Sequence, residues 1–239
     1  MIYQTKGIVL HKTAFADNKA IFHIYTAAEG MRSYLVYTSF KKEKKGRWIK
    51  LQPLAVVGLR AERSRNDGLD YLKSVELEHV PSAAASFDYL KASVRMFLNE
   101  LLYKALQAAP PDEAMFQFME ESLSAFETQD FTPDFHLRFL WRLTRFFGCA
   151  PMDNRSVQSP YFNVETAQCK GIKTDADAVV STWIFHMMEA PLFPETAEAM
   201  LPAACRTPML ECLLAYYTRH VASSVAGVRS HTVLKEVLR

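Results

Sequence analysis

The chain has 239 residues, of which 49% are hydrophobic and 12% aromatic, so it can bury one or two ordinary cores and is not a disordered tail. No apolar run reaches the roughly 18 residues that a membrane-spanning helix needs, and Lys6 and Lys12 interrupt any signal-like core near the N-terminus. We therefore expect a folded, soluble protein of the cytoplasm that makes no membrane contact.

The formal net charge of +2 conceals an asymmetry along the chain. Residues 1–80 carry 14 Lys+Arg and 8 Asp+Glu, a net charge of +6, whereas residues 81–239 carry 14 and 18, a net charge of −4. The positive field thus belongs to the N-terminal third, which is the part expected to attract a polyanion. Two regions with different tasks are predicted.

The first region has the alternating pattern of β-strands, with short apolar runs bounded by turn residues. The predicted strands are Thr5–Thr13, Lys19–Tyr25, Met31–Ser39, Leu51–Glu62 and Leu69–Leu77. Five short strands in so few residues indicate a small barrel. An OB-fold is the commonest such barrel that binds oligonucleotides, but an SH3-like barrel has the same strand count, and periodicity does not decide between them.

After Pro81 the apolar period becomes that of a helix. One helix carries an apolar stripe from Leu90 to Ala105 and ends before Pro110, and Asp112 caps a second. Further helices are predicted from Pro133 to Gly148, from Asp175 to Met188, from Thr207 to about Ala222 with Pro208 in the first turn, and over the C-terminal segment from Ser230. The stretch from Met152 to Lys173 is the least regular. We predict two domains, residues 1–80 and 81–239.

Signals of catalysis are missing from the sequence. It contains no phosphate-binding G-x-x-x-x-G-K-[ST] loop, no G-x-G-x-x-G, no H-E-x-x-H and no G-x-S-x-G. The histidines are scattered, and the four cysteines, Cys149, Cys169, Cys205 and Cys212, form no C-x-x-C pair and are expected to be buried thiols. We therefore expect a protein that is not an enzyme and holds no cofactor.

A dense basic run lies between the third and fourth predicted strands. It contains Lys41, Lys42, Lys44, Lys45, Arg47 and Lys50 against the single Glu43, and Trp48 lies within it. The run is either a solvated hairpin loop or a contact for a polyanion whose unpaired bases stack on nearby aromatic rings. Tyr34, Tyr37 and Phe40 precede the run, and Tyr34 is expected in the barrel core. Lys6, Lys12, Arg32 and Arg60 extend the basic track if they face outward.

The chain as a whole resembles the RecO family of bacterial DNA repair proteins. The resemblance begins with KGIVLHKTAFADNKAIFHIYTAAEG, continues through LQPLAVVGL and FLWRLTRFFGCAP, and is most specific at YYTRHVASSVAGVRSHTVLKEVL near the C-terminus. Each motif alone is degenerate, but together they cover the chain in the expected order.

The resemblance implies an α+β fold of two domains, an N-terminal OB-fold barrel followed by an α-helical domain. It also implies binding of single- and double-stranded DNA, annealing of complementary strands, and work in the RecF pathway of recombinational repair on the nucleoid. The implied partners are RecR, RecF and the single-stranded DNA-binding protein SSB. With RecR, the protein is implied to help load RecA onto SSB-coated DNA. The candidate DNA-binding residues are Lys6, Arg32, Lys41, Lys42, Lys44, Lys45, Arg47, Trp48 and Lys50.

The acidic, hydrophobic C-terminal tail of SSB is implied to dock on the helical domain. Capture of such a tail needs an apolar pocket and a cation for the terminal carboxylate. The candidate cations are Arg138, Arg142, Arg145, Arg219 and Arg229. An equally simple interpretation is that these arginines are exposed helix residues or charges at helix ends.

The chain departs from the family at its zinc-binding element. Many relatives follow a G-x-x-P element with two cysteine pairs that bind zinc, but here Arg155 and Gln158 stand where the first pair belongs. Cys169 is the one cysteine left in this stretch. Since a structural zinc site needs four ligands, we predict a zinc-less insertion over residues 152–173.

Two other functions remain open at the level of sequence. An RNA-binding OB-fold protein would bind RNA and DNA equally and would not anneal strands. A non-catalytic adaptor would use the basic run only for solubility, so that reversing its lysines to glutamate would leave DNA affinity unchanged.

Overall fold

The structure is a computed structural model that describes residues 1–16, 19–37, 51–64, 69–79 and 88–238. The chain divides into two compact units, residues 1–128 and 129–239. The first unit contains a β-barrel and two helices, and the second contains the remaining helices and a short β-ribbon.

The barrel has five strands, each within a few residues of its predicted position. They are β1 (Ile2–Ala16), β2 (Lys19–Thr26), β3 (Gly30–Tyr37), β4 (Val56–Glu62) and β5 (Asp70–His79). Their order in the closed barrel is β1-β2-β3-β5-β4, with β3 and β5 parallel and β1 closing on β4 in an antiparallel pair. This Greek-key arrangement is the OB-fold, so the predicted fold class is confirmed and the SH3-like alternative is excluded.

The barrel interior is filled by alternate residues of its strands. On β2 the side chains of Ala20, Phe22 and Ile24 are buried, and Tyr34 and Val36 of β3 pair with two of these positions. Tyr34 is completely inaccessible, which confirms that it belongs to the core.

A buried carboxylate ties three strands together where the barrel closes. Asp70 at the start of β5 accepts a hydrogen bond of 2.6 Å from the Tyr3 hydroxyl and one of 2.9 Å from the backbone N–H of Ser64. The Tyr34 hydroxyl lies 3.2 Å from that of Tyr3 and, because Tyr3 gives its one proton to Asp70, Tyr34 is the donor of this second bond. Burial, then the bond to Asp70, raises the pKa of Tyr3 to about 12, and burial also raises the pKa of Tyr34, so both phenols stay protonated.

Two helices belong to the same compact unit as the barrel. These are α1 (Tyr89–Ala105), whose N-cap Asp88 accepts from the N–H of Leu90, and α2 (Glu113–Thr128), whose first turn is capped by Asp112 as predicted. The barrel binds them through a stack of the Tyr103 and His11 rings 4.5 Å apart, and through a hydrogen bond from the Tyr25 hydroxyl to the Pro110 carbonyl.

Gly30 fixes the turn between β2 and β3 against the loop that joins the two helices. Its φ of +67° suits glycine, and a Cβ there would lie 2.9 Å from the Ala109 carbonyl oxygen. The division of the chain therefore falls after α2, whereas the domain boundary near residue 80 stays a prediction.

The second unit contains four α-helices among its described residues: α3 (Phe135–Leu143), α4 (Ala178–Glu189), α5 (Ala203–His220) and α6 (His231–Val237). Their core is aromatic, with Trp141 packed edge-on against Phe162 and tilted against Tyr216. These contacts join α3 and α5 to the β-ribbon.

Three helix ends differ from the prediction. Helix α3 ends at Leu143, and the chain continues as turns to Gly148, whose φ of +67° allows the N–H of Cys149 to bond back to Thr144. Helix α4 is capped by Asp177, because Asp175 instead accepts the N–H of Val164. Helix α5 begins at Ala203, which places Pro208 inside it and not in its first turn.

The stretch predicted to be irregular contains a two-stranded antiparallel ribbon, β6 (Tyr161–Asn163) and β7 (Gln168–Lys170). Side chains satisfy both of its edges. The Asn154 amide donates to the Cys169 carbonyl at 3.1 Å and accepts from its N–H at 2.7 Å, and the Ser181 hydroxyl accepts the N–H of Phe162. A ribbon this short is recognisable only once these side-chain partners are known.

Candidate nucleic-acid interface

The barrel exposes aromatic rings at the end where β3 leads into the basic run. Phe15, Tyr37 and Tyr71 are 57%, 47% and 40% exposed, which is unusual for rings of this size. Lys19 is the cross-strand partner of Tyr37, and Tyr71 pairs with Leu35, two residues before Tyr37 on the same side of β3. We call Phe15, Lys19, Tyr37 and Tyr71 the aromatic face.

Cations accompany these rings. The Lys19 ammonium lies 5.2 Å from the centre of the Tyr37 ring, whereas that of Lys12 lies 5.7 Å from the centre of the Phe22 ring, which is buried in the barrel core. Exposed rings stack on unpaired bases, while an adjacent ammonium contacts the phosphate of the same nucleotide. The face thus has the groups that a single-stranded nucleic acid requires.

Most of the predicted DNA-binding residues lie outside the described residues. These are Lys41, Lys42, Lys44, Lys45, Arg47, Trp48 and Lys50. The described chain stops at Tyr37, on the aromatic face, and resumes at Leu51 shortly before β4. In sequence, therefore, the basic run begins four residues after Tyr37, one member of the aromatic face.

The two described candidates on the barrel are both ion-paired. The Lys6 ammonium lies 2.8 Å from a carboxylate oxygen of Glu120 on α2. Arg32 and Arg63 share the carboxylate of Glu29 at 2.8 and 2.7 Å, and the hydrogen bond from Arg32 is the main cause that lowers the pKa of Glu29. Arg32 lies near the opposite end of β3 from Tyr37, about 17 Å away at the rise of a strand. The structure does not bring these two cations to the aromatic face.

Sequence reasoning missed Lys19, Tyr71 and Phe15. Alternation along β2 places Lys19 outward, but its neighbour becomes clear only from the register of β2 on β3. Tyr71 reaches the same face through the parallel pairing of β3 with β5, a contact between strands far apart in sequence. No local pattern encodes that pairing.

We call the second compact unit, residues 129–239, the helical unit. It has a cavity of about 570 Å³ beside the end of α4. Its lining combines apolar groups of Ala150, Pro151, Phe185 and Met188 with two ion pairs, Arg145 with Glu189 and Arg155 with Asp153. Arg155 is held in place, since Asp153 binds it with two bonds of 2.8 and 2.7 Å and its guanidinium lies 4.8 Å from the centre of the Phe185 ring. Arg145 pairs with Glu189, whose side chain is 79% exposed.

The candidate tail-binding arginines have different environments. Arg145 lines the cavity from the turns that follow α3, and Arg142 near the end of α3 is half-buried and donates to the carbonyls of Met187 and Glu189. Burial is the main cause that lowers the pKa of Arg142, with Arg145 next. Arg219 forms an exposed pair with Glu165, and Arg229 is exposed.

Arg138 is inaccessible to solvent. Its guanidinium binds the equally buried carboxylate of Asp134, at 2.9 and 3.1 Å, and donates to the carbonyls of Pro191 and Ala199. A partner at the surface cannot reach this group, so its position does not fit the predicted tail contact. Its environment is that of a structural ion pair.

The described residues contain no group of three or more His, Cys, Asp or Glu side chains arranged to hold a metal ion. At the position where the family resemblance implied a cysteine pair, Arg155 forms an ion pair with Asp153. Cys169 is buried within β7, and burial is the main cause that raises its pKa. None of the helices in the part of the chain that the structure describes is long and apolar enough to cross a bilayer.

Comparison with known proteins matches the barrel and the region that follows it to the two halves of one protein family. A family model described as "Recombination protein O N terminal" matches residues 1–80, and one described as "Recombination protein O C terminal" matches residues 86–159. The DNA repair protein RecO of Flavobacterium psychrophilum is 26% identical over 243 residues, with 99% of each chain covered. That of Phocaeicola vulgatus is 30% identical over 168 residues, covering 70% of this chain and 69% of the relative.

Proposed function

Because the chain belongs to the RecO family of DNA repair proteins, we propose that it binds single- and double-stranded DNA through its barrel and anneals complementary strands. The observation that carries this proposal is the aromatic face, whose Tyr37 lies four residues before the start of the basic run. We further propose that the protein acts without catalysing a reaction, in the cytoplasm and on the nucleoid.

Annealing has two physical requirements that the barrel can meet. The bases of a strand have to be kept unstacked and unpaired, which rings such as Tyr37 and Tyr71 achieve by offering a competing surface. Two polyanions also have to approach each other, and the lysines of the basic run lower their mutual repulsion. Because stacking on tyrosine does not depend on base identity, binding is expected to be independent of sequence.

The helical unit would recruit SSB through the cavity next to α4. Phe185 and Met188 accept the apolar side chains of such a tail, and Arg145 offers a cation to its terminal carboxylate once that carboxylate replaces the one of Glu189. Arg145 is suited to this role because its present partner, Glu189, is exposed and can be exchanged at little cost. With RecR and RecF as further partners, this contact would allow RecA to load on SSB-coated DNA.

A paired substitution tests the DNA-binding proposal. Tyr37→Leu together with Tyr71→Leu should weaken binding of oligo-dT, since each lost stack is worth about 1–3 kcal/mol. Fluorescence anisotropy of a labelled oligonucleotide measures the loss. Tyr89→Leu is the matched control, because Tyr89 is 71% exposed but lies on α1. Unchanged affinity in the double variant would remove the aromatic face from the site.

The cavity is tested with a synthetic peptide that carries an acidic, apolar sequence and a free C-terminal carboxylate. Arg145→Met should weaken its binding several-fold or more, because a carboxylate loses a charge-assisted partner. Arg219→Met is the control, since that exposed arginine is not part of the cavity lining. Equal peptide affinity in both variants would place the tail elsewhere.

A further inference from the structure

The outer surface of β1, β4 and β5 contains a recess of about 400 Å³ that is separate from the aromatic face. Strand register arranges its lining in two rows, Gln4, Arg60 and Ser74 in one and Lys6, Gly58 and Glu76 in the other. The recess exists because Gly58 has no side chain, which leaves a gap between those of its two neighbours. Its volume falls in the range of small-ligand sites.

Two cations border this recess. Lys6 pairs with Gly58 and Arg60 lies two residues further along β4, so they are diagonal neighbours with Cα atoms about 7–8 Å apart. That separation lets both long side chains reach one phosphate group. Among the described residues Arg60 has no ion-pair partner, whereas Lys6 is bound by Glu120 of α2.

The contact with Glu120 keeps Lys6 from other anions. The two side chains are 46% and 23% exposed, so the pair lies at the surface, where a phosphate can compete for the ammonium. On the far side of Gly58, Glu76 repels negative charge and confines a phosphate to the end of the recess that Lys6 and Arg60 border.

We propose that this recess binds a backbone phosphate of a nucleic-acid strand, and that Glu120 is an autoinhibitory group that the phosphate displaces from Lys6. The proposal rests on the proposed DNA-binding function and adds a second contact surface to it. A barrel with an aromatic face contributed by β1, β2, β3 and β5 and a separate phosphate site on β1, β4 and β5 can contact two strands at once. Acidic helix α2 then sets how readily the second contact forms.

The test compares two neighbouring glutamates of α2 by salt titration of oligo-dT binding. Glu120→Gln should bind up to about 5-fold more tightly at low salt, the range that an exposed ion pair represents. Its plot of log affinity against log salt should be steeper by about 0.7, the value of one extra phosphate contact on a single strand. Glu121→Gln is the matched control, since it removes the same charge from the same helix, but Glu121 accepts from Gln117 and does not contact Lys6.

The double variant Lys6→Met/Glu120→Gln should lose the gain and return to the wild-type slope or a shallower one. Equal slopes for Glu120→Gln and Glu121→Gln would overturn the proposal, and so would a gain that survives in the double variant. In either case, binding of oligo-dT by the wild type would still support the DNA-binding function. Absence of oligonucleotide binding by every protein, with unfolding midpoints unchanged, would instead overturn the DNA-binding function itself.

Discussion

The ion pair between Arg138 and Asp134 lies in the interior of the helical unit. Both side chains are completely buried, and the same Asp134 oxygen accepts the N–H of Leu201 at 2.8 Å. Removing one partner leaves an uncompensated buried charge, so Arg138→Met should lower the free energy of unfolding by about 3–5 kcal/mol. Urea denaturation measures this, and Arg219→Met, in an exposed pair, should change it by less than about 1 kcal/mol. Comparable losses in both variants would contradict the structural role.

His136, two residues from Asp134, should make stability depend on pH. Burial lowers the pKa of its imidazole to about 3, against 6.5 in an unfolded chain, so the folded state holds the neutral ring. Between these values the unfolded chain binds the extra proton, and stability falls as pH decreases from about 6.5 toward 3, by at most about 1.4 kcal/mol per pH unit. Urea titrations at pH 7, 6 and 5 should show this slope in the wild type and a weaker one in His136→Gln. Identical slopes would show that the folded protein accommodates the charged ring.

At the scale of elements, the ribbon of β6 and β7 is held by Asn154, whose side chain occupies the place of a third strand beside Cys169. Asn154→Ala removes a donor and an acceptor from this edge, at an expected cost of about 1–3 kcal/mol. The loss should appear as faster hydrogen exchange of the Cys169 amide, whereas Asn163→Ala should act at the opposite end, on the N–H of Thr166. An unchanged exchange rate at Cys169 would mean that the ribbon does not need this contact.

Which elements the sequence could predict depended on how local their determinants are. The five strands follow from alternation, and caps such as Asp88 and Asp112 lie within the helices' own sequence. The parallel contact of β3 with β5 and the burial of Arg138 depend on residues far away in the chain. An arginine on an amphipathic helix looks exposed until its distant carbonyl partners are known. For the same reason, the sequence did not predict that Lys19 and Tyr71 belong to the aromatic face, because their neighbours are set by strand pairing.

For the whole molecule, the distribution of charge between the two compact units is instructive. Residues 1–128 carry 17 Lys+Arg and 15 Asp+Glu, and residues 129–239 carry 11 of each. The basic barrel thus shares its unit with the acidic helix α2, which carries four glutamates and no Lys or Arg, and residues 81–128 together lower the net charge of that unit from +6 to +2. The net charge of either unit, taken alone, would predict little attraction for DNA. The attraction therefore depends on where the cations lie on the surface.

The central claim is that the basic run contacts DNA, and a salt titration of oligonucleotide binding tests it most directly. With some six phosphates neutralised, the slope of log affinity against log salt for a single strand should be about −4. Reversing Lys41, Lys42, Lys44 and Lys45 to glutamate should reduce it to about −1.4, since four contacts are lost. Reversing Lys170 and Lys173, which are exposed in the helical unit, should leave it near the wild-type value. A slope that is the same for the wild type and the four-glutamate variant would contradict the claim.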